Sequence, residues 1–129
     1  MRIVLIISYI ALAIIGLAVN LDVPARAHHS SAPFYDETKS VEVVGVVSKF
    51  VFRNPHSFIY IQTTDEDGTE VEWELEMLAA VSMSQRGWTP ESIKAGDEIK
   101  AVGQPSKAPG TRGMCCAQLT RPDGSPVRP

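Results

Sequence analysis

The residues of this 129-residue chain that invite chemistry are few: three histidines, two cysteines and the methionine beside them. Two of the histidines, His28 and His29, stand together in the stretch PARAHHSS, and the third, His56, follows Asn54-Pro55. Imidazole is the most frequent protein ligand of transition metals, so these three are the candidate metal ligands. Their use depends on where the mature chain begins. A histidine at a free N-terminus offers two nitrogens from one residue, its α-amine and its ring. His56 would supply a third, and His29 offers the same amine-plus-ring chelation from the second position. An all-nitrogen set favours Cu(II) by ligand type and by the order of divalent-metal affinities. Neutral nitrogens are required, so such binding weakens in acid.

The start of the chain bears on that question. Arg2 precedes an uncharged apolar run over residues 3–19, Asn20 and Asp22 end it, and Ala25-Arg26-Ala27 has the small-x-small form that signal peptidase cuts after. This is the order of a secretory signal peptide, residues 1–27. An uncleaved inner-membrane anchor is the alternative, because a span needs about 20 apolar residues and this run is only a little shorter. Cleavage after Ala27 places His28 first. It makes the expected location periplasmic or secreted, with the membrane touched only through an uncleaved signal peptide. The N-terminal arm, residues 28–40, is polar and irregular. From His28 to the first strand it can span up to about 43 Å when extended, enough to reach His56 or any other part of a small domain.

Other residues carry second readings. Met114, Cys115 and Cys116 are soft ligands that suit Cu(I), or a redox pair. Strand alternation puts Met114 and Cys116 on one face and Cys115 on the other, so the two thiols are expected to be badly placed to bridge each other. The plain expectation is one buried and one surface thiol. Asn54, His56, Lys107 and Arg112 are the candidate residues of a metal-free site for a protein partner or small molecule. The alternative for His56 is a ring that only satisfies backbone groups of its turn. Tyr35 and Tyr60 are axial-ligand candidates by proximity in sequence alone. Glu70, Glu72, Glu74 and Glu76 read as the solvated face of a strand rather than a cation site. Asp65-Glu66-Asp67-Gly68 reads as a turn, because the remaining calcium-loop spacing is missing. Trp73 is expected in the core, and Trp88 in the core or as a platform for a flat ligand. No catalytic set can be assigned. With 12 basic and 15 acidic side chains and a net charge of −3, the chain lacks the basic footprint of a nucleic-acid binder.

The elements that must position these residues follow from apolar periodicity. Strands are expected over residues 41–53, 57–63, 69–76, 98–104 and 114–120. The first is long, with a change of apolar parity at Gly45 that signals a bulge or bend. Asp67-Gly68 marks a hairpin between the second and third. A helix is expected over residues 77–86, with Met77, Leu78 and Val81 on its packed side and Gly87 as its stop. A helical turn begins at Thr89-Pro90, and residues 104–113 form a loop. Residues 122–129 are expected to be a disordered tail. Three strands, a helix and two more strands give an all-β fold with one short helix, an OB-like five-stranded barrel over residues 41–121, with a small β-sandwich as the alternative.

His28-His29-Ser30, Tyr35-Asp36, Gly45-Val46-Val47, Asn54-Pro55-His56-Ser57, Val71-Glu72-Trp73, Arg86-Gly87-Trp88-Thr89 and Ala95-Gly96-Asp97 together resemble a bacterial family of small exported proteins, domain of unknown function 6152. The pairing of HHS with NPHS is its most specific part, and the resemblance covers most of the mature chain. It implies an exported, OB-like domain, and it leaves Cys115-Cys116 as a feature of this branch. The first-residue histidine is also similar to the histidine brace of copper-dependent polysaccharide monooxygenases and of some periplasmic copper carriers. The chain is far smaller than such a monooxygenase domain. The two classes of function to weigh are therefore a copper-holding binding module, a carrier or sensor rather than a catalyst, and a metal-free interaction module.

Overall fold

A computed structural model describes residues 31–127, so the apolar run, the cleavage site, His28 and His29 lie outside the described residues. The strands are β1 (Val41–Val51), β2 (Phe58–Thr64), β3 (Glu70–Glu76), β4 (Glu98–Pro105) and β5 (Gly113–Thr120), with one helix, α1 (Ala80–Ser84), between β3 and β4. They close in the order β1-β2-β3-β5-β4. β1 pairs with β4 through its first half and with β2 through its second, and the β3–β5 pairing is parallel. This is the OB-type barrel, and closure removes the free sheet edges of a small domain. Among the described residues no helix is long and apolar enough to cross a membrane.

The barrel interior is filled by Val43, Val47, Ile59, Ile61, Leu75, Ile99, Ala101, Met114 and Leu119. Alternation supplies most of these: Ile59 and Ile61 from β2, Leu75 from β3, Ile99 and Ala101 from β4. Two bulges supply the rest. On β1 the register shifts between Val47 and Lys49. The inward set is thus Val43 and Val47 before the shift and Phe50 after it. The change of phase lies at Ser48 rather than at Gly45, and Val46, just after Gly45, is exposed. Gly45 is required for another reason. A Cβ there would run into the backbone oxygen of Gln62, so glycine lets β1 cross from β4 to β2 at close range. The second bulge lies on β5, where the register with β4 shifts between Val102 and Gln104.

The helix is shorter than expected and turned differently. Only Ala80–Ser84 is helical, its buried residue is Met83, and Leu78 and Val81 are exposed. Five residues cannot present a helical stripe, so the segment anchors through one side chain. Gly87 has φ of +87°, the left-handed conformation expected of the stop. Thr89-Pro90 opens a hydrogen-bonded turn instead of a helical one, with Ser92 N donating to Thr89 O. Trp73 and Trp88 both pack against the core. The tail is ordered further than expected: Val127 N donates to Leu119 O at 3.0 Å and the Val127 side chain is buried in the core.

A carboxylate corner beneath the N-terminal arm

The loop from β1 to β2 places His56. Asn54-Pro55 is a cis peptide. Ser57, fully buried, donates from Oγ to Arg53 O and accepts from Arg53 N, both at 3.2 Å. Its backbone bonds the β3–α1 connection on both sides, Ser57 N to Leu78 O and Met77 N to Ser57 O. Asn54 Oδ1 accepts from Val81 N at 3.2 Å, so Asn54 caps α1 from another loop. The polar groups of the turn are therefore satisfied by Ser57 and Asn54, which frees the His56 ring for a different partner.

That partner is Glu76. His56 Nδ1 bonds Glu76 Oε1, and Tyr35 Oη donates to Glu76 Oε2 at 2.5 Å. One carboxylate at the end of β3 thus joins the β1–β2 loop to the N-terminal arm. The arm is held in turn by β4 and the chain beyond it. Asp36 N donates to Pro105 O, Lys107 N donates to Phe34 O, and Lys107 Nζ donates to Ala32 O at 2.7 Å. Beside Tyr35 and Glu76 lies an open groove of about 620 Å³, edged by Pro33, Phe34 and Lys107. Phe34 is 69 % exposed at its rim. Burial, then the hydrogen bond to Glu76 and its charge, push the Tyr35 phenol well above the ordinary tyrosine range, so it is a fixed donor.

The corner gives His56 a defined chemistry. A carboxylate accepting from Nδ1–H sets the tautomer in which Nε2 carries the lone pair. The ring is 40 % exposed. The described residues thus provide one oriented imidazole, and among them no three His, Cys, Asp or Glu side chains converge as a metal site. The other two nitrogen ligands of the expected set, on His28 and His29, lie outside the described residues.

The remaining expected site residues separate. Arg112 pairs with Asp65, sits over the Trp73 ring at 5.9 Å, and lines a second, smaller groove with Tyr60 and Glu74. Lys107 borders the first groove with its ammonium on the arm carbonyl of Ala32. Asn54 is occupied by α1. Met114 faces the barrel interior, away from any soft-metal role with its neighbours. One thiol is buried and one exposed, as expected, but the sulfurs do not point to opposite faces as alternation implied. Cys115 Sγ and Cys116 Sγ lie 2.6 Å apart, with Cys115 buried and Cys116 exposed. The cause is the β5 bulge, where Cys116 adopts a positive φ of 58° and cancels the alternation. Burial is the main cause that pushes the Cys115 thiol up to about 12.

Two members of the corner are not obvious in the sequence. Glu76 ends a glutamate stripe whose other members, Glu70, Glu72 and Glu74, are exposed as expected. Tyr35 stands out in the sequence only through its place in the family resemblance and as one of two axial-ligand candidates by proximity, and neither signal points to Glu76. With the fold and corner in view, the comparisons with known proteins add one result: a family model described as a family of unknown function, DUF6152, matches residues 17–115. The chain belongs to that family. No curated protein and no solved structure matches it. The family match spans the arm, the NPHS loop, Glu76 and the first of the two cysteines, and stops before Cys116.

Proposed function

We propose that this DUF6152 protein is a small exported binding module that holds one copper-type ion at the His56 corner, as a carrier or sensor. The observation that carries the reading is the Glu76 carboxylate on His56 Nδ1. Carboxylate–histidine pairs of this kind orient metal-binding imidazoles. The reading completes the ligand set from the arm. Tyr35 is anchored on Glu76, and the chain from His29 to Tyr35 spans about 20 Å when extended, a reach long enough to bring His29 to His56. Cleavage after Ala27 would free the His28 α-amine as a further nitrogen.

The test is native mass spectrometry of the untagged exported protein with and without Cu(II). A mature chain beginning at His28 that retains one copper, and loses it in His56→Ala, supports the reading. A chain beginning at His28 that retains no copper overturns it. The second reading, a metal-free interaction module, rests on the groove beside Phe34 and Lys107. It predicts that Phe34→Ala weakens capture of a periplasmic protein or small molecule while His56→Ala does not.

A further inference from the structure

The pair Cys115-Cys116 has a geometry that its sequence position does not predict. Neighbouring residues in a regular strand point to opposite faces. Here Gly103 lies opposite the β5 bulge, and a Cβ on it would come within 2.6 Å of Cys115 O and 3.0 Å of Ala117 Cβ. The missing side chain leaves room for β5 to fold over, and Cys116 takes the left-handed conformation rare for a residue with a Cβ. Both sulfurs then fall on one side of the strand, 2.6 Å apart.

We propose that Cys115 and Cys116 form a reversible disulfide between adjacent residues, made by exchange with a small-molecule disulfide of the glutathione class. The spacing argues for a covalent bond over a shared metal. Two thiolates on a tetrahedral ion at about 2.3 Å would stand about 3.8 Å apart, whereas a disulfide needs about 2 Å. The two thiols also differ as the exchange requires. Cys116 is exposed and meets the external disulfide, while Cys115 is buried, in contact with Gln104 at 3.7 Å, and waits as the resolving thiol.

In the first step the Cys116 thiolate attacks one sulfur of the small disulfide. A mixed disulfide forms and one thiolate leaves. That thiolate takes the proton of Cys115. The Cys115 thiolate then attacks Cys116 Sγ, forming the Cys115–Cys116 bond and expelling the second thiolate, which takes up the proton that Cys116 gave to water. Two electrons pass from the pair to the small disulfide, which is reduced to two thiols. Adjacent Cα atoms across a trans peptide stand closer than disulfides usually allow, so the bond should be readily reduced. The site is independent of the copper reading. It nevertheless borders the same region, since Cys115 is in register with Glu76 and Cys116 Sγ lies 3.9 Å from Ser31 Oγ of the arm.

The test uses the reduced whole protein with a metal chelator present, so that copper cannot oxidise the thiols. Oxidised glutathione is added, the sample is acid-quenched, alkylated under denaturing conditions and weighed intact. The expected product is a monomer that has lost two hydrogen atoms, carries no glutathione, resists alkylation at both cysteines and is restored by dithiothreitol. Cys115→Ser should trap one glutathione on Cys116, and Cys116→Ser should take up at least tenfold less, with circular dichroism confirming that both variants fold. A wild-type protein that keeps glutathione on Cys116 with Cys115 still alkylatable, that dimerises through Cys116, or that does not react overturns the proposal.

Discussion

Glu72 and Glu76 stand on the same face of the same strand, and the structure uses them differently. Glu72 is exposed and accepts from Ser48 Oγ at 2.7 Å and Gln62 Nε2 at 2.6 Å, both exposed side chains. Glu76 is half-buried and holds Tyr35 and His56. The difference lies in what crosses above each residue. Glu72 meets exposed side chains and lines the second groove with Tyr60 and Arg112, whereas the N-terminal arm, strapped to β4 and Lys107, delivers Tyr35 to Glu76. A carboxylate becomes an organising group when two donors from distant parts of the chain are delivered to it out of bulk water, where each bond is worth more.

Affinity gives the widest test of that contrast. Under the proposed copper reading, Glu76→Gln should weaken Cu(II) binding about 10–100-fold, the usual cost of removing a carboxylate behind a ligating histidine, while Glu72→Gln leaves it unchanged. Competition titration against a chelator reads both. Equal effects at the two positions would break the comparison.

Stability should separate the same pair on a smaller scale. Glu76→Ala leaves the Tyr35 hydroxyl and the His56 ring without their partner and should cost about 1–2 kcal/mol in urea unfolding. Glu72→Ala should stay within about 0.5 kcal/mol, as surface changes usually do.

Tyr35→Phe keeps the ring and removes one donor, so about 1 kcal/mol is expected, with faster proteolysis of the arm. Its pH signature is more specific. The folded Tyr35 phenol titrates above its unfolded value, so its contribution is complete below about pH 10 and is lost as the pH rises towards the folded value. In a spectroscopic titration to high pH, the last-ionising phenolate should disappear in Tyr35→Phe.

The smallest effect belongs to the arm alone. Asp36 is held at about 2 by the Thr38 hydroxyl first, with Lys39 and the Thr38 backbone also contributing. Its contribution is present above the unfolded carboxyl value and fades as the pH falls through about 2. Carboxyl titration by NMR should show that low value, and Thr38→Ala should raise it without disturbing His56.

Several elements were legible because they depend on local pattern. The alternation of Val71, Trp73 and Leu75, the Asp67-Gly68 hairpin and the order of the strands led to the five-stranded barrel. The phase of β1 is not legible, because a bulge needs only one extra residue and Ser48 carries no mark that distinguishes it from a regular strand residue. The helix begins later than its apolar spacing suggests, because Asn54 caps it from another loop, a contact that no local pattern reveals. The relative facing of the two cysteines is not legible, because no local pattern shows that alternation stops at Cys116.

The sequence by itself determined the periods, the turns and the shortage of basic charge, all properties of neighbouring residues. It also placed the three histidines on the short list, since their chemistry belongs to the side chain. Tertiary structure decided which groups meet: Glu76 with Tyr35 and His56, and Cys115 with Cys116. Those meetings depend on where the arm is strapped and where two strands bulge, and both are set by packing across the closed barrel rather than by any residue's own preference.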